Sequence, residues 1–370
     1  MFSDNSAWGL FNFRSVVIRH FLERGFRVSV CIPYDEEYVR RFEAMGCTVH
    51  AVRVDSHGVN PVRDVGLIRQ YYRLLRRLRP DVSITYTVKP NLYAGLAASW
   101  LGIPYLPVVP GAGQVFVRRS AVTEVVKLLY KVAFRRAGTV WFLNGEDMEL
   151  FRTSRLVPAS KMERLDGEGI DLADFPLSEH ESEASSFTFI MIGRLLREKG
   201  VAEYAEAARL VKENYPGVRF LLLGMVDETN RNAITREELE AWQRAGFIDY
   251  LGATGDVLPY LQRADCVVLP SYYREGIPRS LMEGAAVGLP LITTDHTGCR
   301  EVVQDGVNGY LCRAKDARSL AGAMTRMLEL PAAERRAVGL RGRRLMEERF
   351  DVRLIVQRYD EAVARLVGGA

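Results

Sequence analysis

The sequence is poor in the residues that cross-link small proteins or ligate metals. It has five cysteines in 370 residues, with no C-x-x-C spacing, and five histidines with no ligand spacing. The cysteines are Cys31, Cys47, Cys266, Cys299 and Cys312, most of them within or beside apolar, strand-like segments. This usage is typical of buried free thiols in a reducing cytosol, and it argues against a disulfide framework or a zinc site.

The sequence also lacks a secretory leader and an uninterrupted membrane span. Its first residues, MFSDNSAWGLFNFR, contain no basic segment followed by an apolar core. The longest uncharged run, residues 90–117, is broken by glycines and by Pro104, Pro107 and Pro110. We interpret this run as buried helix, strand and loop rather than as a transmembrane helix.

The chain does have a high apolar content and nearly balanced charge. Hydrophobic residues make up 48% and charged residues 26%, as in globular proteins, and 370 residues exceed the usual size of one hydrophobic core. Residues 1–170 hold 24 Lys/Arg against 16 Asp/Glu, whereas residues 171–370 hold 26 against 30. We therefore expect two domains, of which the first suits an anionic partner.

Helices and strands alternate along both halves. From residue 15, helical segments such as EEYVRRFEAMG alternate with apolar segments such as DVSITYTV, and the alternation restarts at FTFIMIG after an irregular, acid-rich stretch. This order predicts an α/β fold with two doubly wound, Rossmann-like domains, residues 1–170 and 171–350, facing each other across a ligand-binding cleft. A last helix, at about residues 351–367, is expected to pack back on the first domain.

The start of the first domain is unusual. A doubly wound domain opens with a central strand, yet only MFS precedes the segment DNSAWGLFNF. Either the first strand is very short or the true start lies upstream of Met1.

The segment MIGRLLREKG in the second half carries charges suited to a diphosphate. It follows a strand and precedes a helix, which puts Arg194 and Lys199 in a turn at the carboxyl edge of the sheet. Helix amides and cations bind phosphates in such turns. An ordinary solvated basic loop is the alternative.

A second segment, SYYREGIPRSLMEGAAVGLPLITT, sets Glu275 in a loop and Glu283 inside the helix that follows, with Pro278 at the first helical position. Both carboxylates can face a ligand lying across this helix start, while amides near Gly276 and Ile277 point at its phosphates. The alternative is one carboxylate in a salt bridge and the other on a solvated face.

Together with TTDHTGCREVVQDGVNGYL downstream, these motifs resemble the retaining glycosyltransferases of family 4, which have the two-domain GT-B architecture. In the first half, NSAWGLFNFR, TYTVKPNLYAGLAA, VPGAGQVF and GEGID are similar to the branch that extends polyprenyl-diphosphate-linked sugars for glycans, capsules or O-antigens. Two features depart from the family pattern. The first strand is missing or short, and Glu168 stands where the family often has a small residue.

The resemblance implies roles for individual residues. Arg194 and Lys199 would neutralise the departing diphosphate. Glu275 would contact the hydroxyls of the donor sugar and act with these two cations in catalysis, and Glu283 would bind the ribose hydroxyls. The donor site would also include Gly9, Gly193, Gly276 and Ile277, and the acceptor side would include Asn12, Lys89, Gly111 and Gly113.

Cofactor motifs are weak in this sequence. No D-x-D occurs, so we expect a metal-independent reaction whose nucleotide is a substrate, most simply a UDP-sugar, with no other cofactor. GAGQVF follows a strand like a dinucleotide fingerprint, but Phe116 replaces the third glycine and no ribose-binding acid follows at the right distance. We therefore disfavour an NAD site.

Two basic helices of the first half bear on where the acceptor lies. In AVTEVVKLLYKVAFRRAG, Lys127, Lys131 and Arg135 recur every four residues beside a broad apolar surface, and LIRQYYRLLRRLR has four arginines on one face. The ordinary explanation is the solvated face of a core-packed helix. We favour docking on anionic lipid, at the inner face of the plasma membrane, because the acid-rich half is the other domain.

The expected function is therefore transfer of a hexose or N-acetylhexosamine from a nucleotide diphosphate sugar to a sugar on a polyprenyl diphosphate, or to a polysaccharide. No nucleic acid partner is expected. Two alternatives remain: a nucleotide-sugar epimerase of the same fold, and a non-catalytic partner in a glycan assembly complex. Incubation with donor alone separates the first alternative, since only an epimerase converts the sugar without an acceptor.

Overall fold

The chain forms two compact units, Met1–Gly169 with Val352–Ala370, and Ile170–Asp351, which we term the N-terminal and C-terminal units. The computed structural model describes residues 1–54, 61–112, 116, 121–179, 186–227, 230–274 and 276–368, apart from the side chains of residues 61, 62 and 121. The chain thus passes from one unit to the other after Gly169 and returns after Asp351.

The N-terminal unit is built on a parallel sheet. Its strands are β1 (Phe2–Ser3), β2 (Ser29–Ile32), β3 (Thr48–Ala51), β4 (Ser83–Tyr86), β5 (Tyr105–Val109), β6 (Val140–Phe142) and β7 (Met162–Arg164). Its helices include α1 (Ala7–Glu23), α2 (Glu36–Ala44), α3 (Pro61–Leu78), α4 (Val88–Leu101), α5 (Ala121–Phe134) and α6 (Gly145–Thr153). The strand order is β3-β2-β1-β4-β5-β6-β7. The order therefore reverses direction between β1 and β4, which is where ligands bind in open sheets of this kind.

The C-terminal unit repeats this plan. Its strands are β8 (Thr188–Ile192), β9 (Arg219–Leu223), β10 (Asp249–Tyr250), β11 (Cys266–Leu269), β12 (Leu291–Thr294) and β13 (Gly309–Cys312), in the order β10-β9-β8-β11-β12-β13. Its helices include α7 (Val201–Lys212), α8 (Arg236–Arg244), α9 (Leu258–Leu261), α10 (Arg279–Ala286), α11 (Cys299–Val302), α12 (Ala317–Glu329) and α13 (Ala332–Leu345). The prediction of an α/β fold with two doubly wound units is confirmed, and the reversal in this sheet lies between β8 and β11.

The first strand of the structure is very short. β1 has two residues, yet it is central, because Phe2 pairs with Val30 of β2 on one side and with Ile84 of β4 on the other. The helix after it begins at Ala7, eight residues earlier than the predicted start at Ser15. Ser6 accounts for this difference because its side chain caps the helix by accepting a hydrogen bond from the Gly9 amide.

The last helix, α14 (Val352–Gly368), belongs to the N-terminal unit. It contributes Ile355 and Tyr359 to one of the apolar clusters of that unit. The Tyr359 hydroxyl accepts a hydrogen bond from the Tyr86 hydroxyl at 2.8 Å, and its ring meets Trp141 edge to face at 4.9 Å. The C-terminus of the chain thus completes the core of the unit in which the chain begins.

Much of the uncharged run noted in the sequence is buried. Its described residues form most of α4 and all of β5, and nearly all of them are buried in the N-terminal unit. Among the helices of the described residues, none has the length and apolar composition needed to cross a bilayer.

The five cysteines are all buried, and none of them forms a disulfide. Burial raises the pKa of Cys31 to about 12 and that of Cys47 to about 11. In the C-terminal unit, burial raises the pKa of Cys312 to about 12. The thiolate is the reactive form, so these thiols are protected both sterically and electrostatically.

We expect a thiol reagent at pH 8 to react with the native protein much more slowly than with a free cysteine. After unfolding in urea, all five thiols should react. Absorbance of the released chromophore measures both rates. Fast native labelling of any cysteine would contradict the burial described here.

Candidate functional site

In the C-terminal unit, the two charged motifs follow the two strands that flank the reversal of the sheet. Gly193 and Arg194 come directly after β8, and residues 270–278 connect β11 to α10. Carboxyl ends of parallel strands meet at one edge of a sheet, so both motifs lie at the same edge.

One backbone carbonyl joins the two motifs. Glu198, in a short 3₁₀ turn formed by Arg197–Lys199, accepts hydrogen bonds from the amides of Tyr272 and Tyr273, both at 2.9 Å. Its carbonyl also accepts from the Ser271 hydroxyl at 3.2 Å. The basic turn and the loop before α10 are therefore held together as one piece.

Gly200 allows this contact to be close. Its φ of +79° lies in the left-handed region, and a Cβ added there would lie 2.2 Å from the carbonyl oxygen of Pro270. Any other residue would force the turn and the loop apart.

The cations of the basic turn fall into two groups. Arg194 is exposed, and Lys199 is half-buried with its Nζ 5.7 Å from the centroid of the Tyr273 ring. Arg197 instead donates to both carboxylate oxygens of Glu238 at 2.8 Å, so its charge is used within the fold.

Helix α10 begins one residue later than predicted. Pro278 is the N-cap residue rather than the first helical residue, since its ψ of 118° is extended. Proline has no side-chain acceptor, and no side-chain cap bond is present at this end of α10. The amides of the first turn are consequently not capped by this residue, and Gly276 and Ile277 directly precede it.

Glu283 is buried in α10 and already has one partner. Its Oε1 accepts a hydrogen bond from Arg279 Nε at 2.8 Å. Burial raises the pKa of Glu283, and the Arg279 guanidinium opposes that shift. The salt-bridge alternative is thus realised for one oxygen of this carboxylate. Glu275 lies outside the described residues, as does Gly113.

A contact between a lysine and a tyrosine beside this site was not predicted from the sequence. Lys315 places its Nζ 4.7 Å from the centroid of the Tyr272 ring. Burial raises the pKa of Tyr272, and the carboxylates of Glu203 and Glu198 add to the shift. Nothing in the sequence signals this cluster, because its members come from segments far apart in the chain.

In the N-terminal unit, Gly9 lies in the first turn of α1. Its amide donates to the Ser6 hydroxyl at 3.0 Å, and a Cβ would lie 3.3 Å from the Ser6 side chain. The small residue is therefore explained by the helix cap. Asn12, one turn later, donates from Nδ2 to the Trp8 carbonyl at 2.8 Å.

The other acceptor-side candidates follow β4 and β5. Lys89, in α4, donates to a carboxylate oxygen of Asp64 at 2.9 Å, and both side chains are largely buried. Gly111 precedes Ala112, whose amide donates to Asp147 Oδ2 at 3.0 Å. Asp147 is buried at the start of α6 and was missed, although Asn144 three residues before it is a helix-capping signature.

Glu168, the departure from the family pattern, has a structural partner. It accepts a hydrogen bond from the buried guanidinium of Arg14, whose carbon lies 4.4 Å from the centroid of the Tyr86 ring. A buried charge is stable only when it is paired, and the Glu168 carboxylate supplies the opposite charge for the Arg14 guanidinium.

The three cations predicted to line one face of helix α5 differ from one another in the structure. Lys127 pairs with Glu124 at 2.7 Å, and Arg135 follows the end of the helix, whereas Lys131 is exposed. Beside these cations lies an exposed apolar row, formed by Val122, Val125, Leu128 and Val132, which are 42–61% exposed. Spacings of three and four put this row on one face of α5.

Two family models match the chain, one in each half. Residues 15–166 match the glycosyl transferase 4-like domain, and residues 177–344 match the glycosyl transferases group 1. The two matches correspond closely to the two structural units.

Curated relatives align over most of the chain. It is 29% identical, over 99% of this chain and 98% of the relative, to the N,N'-diacetylbacillosaminyl-diphospho-undecaprenol alpha-1,3-N-acetylgalactosaminyltransferase of Campylobacter jejuni. It is 26% identical to the UDP-Gal:alpha-D-GlcNAc-diphosphoundecaprenol alpha-1,3-galactosyltransferase of Escherichia coli, over 73% and 72% of the two chains.

Solved structures share the fold. A glycosyltransferase from Rickettsia africae has a TM-score of 0.82 at 15% identity, covering 100% of this chain and 98% of that one. Anabaena HepE in complex with UDP has a TM-score of 0.81 at 18% identity, covering 98% of both chains. The fold, the two domain matches and the aligned relatives agree with the resemblance seen in the sequence: the chain belongs to the GT-B glycosyltransferases, in the branch similar to the transferases named for undecaprenyl-diphosphate-linked sugars.

Proposed function

We propose that the protein transfers a hexose or N-acetylhexosamine from a UDP-sugar to a sugar carried on a polyprenyl diphosphate, with retention of anomeric configuration and without a metal. The acceptor class is supported by the names of the two aligned relatives, both of which act on undecaprenyl-diphosphate-linked sugars. UDP as the nucleotide is supported by the name of the second relative and by the HepE complex.

The observation that carries this proposal is the joining of the two motifs through the Glu198 carbonyl. It puts Lys199 beside the loop that leads into α10, so that a cation and the N-terminus of a helix lie at the same edge of the sheet. Both features favour a diphosphate, and a helix N-terminus carries about half a positive charge.

We propose that Arg194 and Lys199 balance the charge that grows on the departing UDP, in place of a metal ion. The acceptor hydroxyl would attack the anomeric carbon on the face from which UDP leaves. As the new C–O bond forms, the bond to the β-phosphate breaks and a phosphate oxygen takes the hydroxyl proton. Fixed cations are effective here because they need no reorganisation as charge develops.

The test is a UDP-sugar panel with a short-chain sugar diphosphate as acceptor, analysed by mass spectrometry and by NMR of the new linkage. Transfer with retained configuration, undiminished by a metal chelator, is the expected result. Conversion of the donor sugar without acceptor would point to the epimerase instead. Donor binding without turnover on any acceptor would point to a non-catalytic partner.

We further propose that α5 docks on the anionic inner face of the membrane. The apolar row from Val122 to Val132 would enter the headgroup region, while Lys131 and Arg135 meet lipid phosphates. An exposed apolar row with cations along its border is the pattern of helices that lie in a membrane surface. Each cation contributes roughly 1 kcal/mol near such a surface, which suits reversible attachment.

Lys199→Ala should lower kcat on the order of 100-fold while the protein stays folded, because the charge that Lys199 balances is largest in the transition state. Steady-state kinetics and thermal unfolding measure the two effects. Arg197→Ala is the matched control, since this neighbouring cation is paired with Glu238. Parent-like turnover in a folded Lys199→Ala variant would remove the basis for the diphosphate site.

Glu283→Ala should act on binding instead. If the carboxylate accepts ribose hydroxyls equally in the ground and transition states, donor KM rises about tenfold or more with little change in kcat. Arg279→Ala is the control, because it removes the ion pair and leaves the carboxylate. A kcat defect with unchanged donor KM would mean that the role assigned to Glu283 is wrong.

Reversal of Lys127, Lys131 and Arg135 to Glu should release the protein from anionic vesicles and impair transfer to a carrier lipid embedded in them. Activity on a short, water-soluble acceptor should survive, and binding of the parent should weaken steeply as salt screens the charges. Reversal of the exposed Arg231, Arg244 and Arg318 in the C-terminal unit gives the same change in net charge and is the control. Sedimentation of the first variant with vesicles as efficiently as the parent would overturn the docking surface.

A further inference from the structure

The reversal point of the N-terminal sheet carries features that the proposed function has not used. Asp4 follows β1 and is buried, and its Oδ2 has no hydrogen-bond partner among the described residues. The nearest cation, Arg14 Nη1, lies 3.7 Å away, beyond hydrogen-bond distance. This strand end therefore holds a buried ion pair between Asp4 and Arg14 at the reversal point of the sheet.

The neighbouring strand end is strained. Thr87 follows β4 directly and has a φ of +62°, a conformation that β-branched residues rarely adopt. Such strain persists where the surroundings enforce it, and it clusters at binding sites. The two strands that flank the reversal thus both end in unusual features.

Trp8 stands over this edge, in the first turn of α1, and is 54% exposed. Its ring is oriented by an edge-to-face contact with Phe13, with centroids 5.3 Å apart and an interplanar angle of 89°. The Asp4, Ser6 and Gly9 hydrogen bonds fix the backbone on either side of it. A large, flat apolar surface is therefore held in a defined orientation but left open to solvent.

We propose that Trp8 is the platform on which the acceptor sugar rests, an inference that builds on the proposed function by naming a binding residue for its acceptor. A pyranose has an apolar C–H face and a rim of hydroxyls. The apolar face gains by covering an indole ring, and the hydroxyl rim can stay in contact with water and polar groups. Open α/β sheets bind ligands at this reversal point.

The chain supplies a matched control in Trp100. It is 58% exposed and lies near the end of α4, in the same unit. Helix α4 leads from the carboxyl end of β4 to the start of β5, so Trp100 lies at the opposite edge of the sheet from Trp8. The two tryptophans therefore match in type and exposure and differ in position.

The experiment compares Trp8→Ala, Trp8→Phe and Trp100→Ala with the parent, using a UDP-sugar and a short-chain, water-soluble sugar diphosphate so that the membrane plays no part. Trp8→Ala should raise acceptor KM about tenfold, as expected for loss of one stacked apolar face, with donor KM and thermal stability unchanged. Trp8→Phe should recover most of the affinity. Trp100→Ala should behave as the parent does.

The possible outcomes distinguish failure of the Trp8 platform from failure of the proposed glycosyltransferase function. An active parent with an unaltered acceptor KM in Trp8→Ala overturns the platform alone. An equal rise in Trp100→Ala also overturns it, since the effect would then not depend on position. Absence of transfer by the parent to any sugar diphosphate overturns the proposed function, and the platform with it.

Discussion

The arrangement of the proposed donor site depends on one backbone carbonyl, that of Glu198, and on the glycine two residues after it. Two amides and a hydroxyl from the loop after β11 bind this oxygen, and Gly200 lets the Pro270 carbonyl approach more closely than any side chain would allow. These contacts convert two flexible strand-to-helix connections into one rigid edge. A phosphate site needs such rigidity, because its cations stabilise developing charge only when they are already in position.

In the N-terminal unit, the corresponding strand end is held together by buried charges. Arg14 is a buried residue of α1, and its guanidinium lies between Glu168 and Asp4 and over the face of Tyr86. Removing any one of these carboxylates would leave the guanidinium underpaired in a region of low dielectric. The cap of α1 and the exposed Trp8 follow the same strand. One short segment of the chain therefore contributes both to packing and to the proposed acceptor binding. That segment follows a strand of only two residues.

Most of the fold and part of the site could be predicted because they depend on local patterns. Alternation of amphipathic and apolar segments identified the doubly wound units, and Arg194 and Lys199 lie in the turn after β8, while Glu283 lies in the helix that follows β11. Errors arose where a single side chain decides a boundary. With Ser6 as its N-cap, α1 begins eight residues before the predicted position, and Pro278 precedes the first helical residue of α10. A capping residue acts locally, but packing decides which of several possible first residues begins the helix.

The sequence by itself determined the fold class, the glycosyltransferase family and the chemical types available at each strand end, since these follow from periodicity and from motifs read within short segments. Only the tertiary structure decided which acidic partner each cation takes. Arg197, Lys89 and Lys127 pair with Glu238, Asp64 and Glu124. Glu238 and Asp64 are 41 and 25 residues away from their partners along the chain, so these pairs form only when the fold brings them into contact.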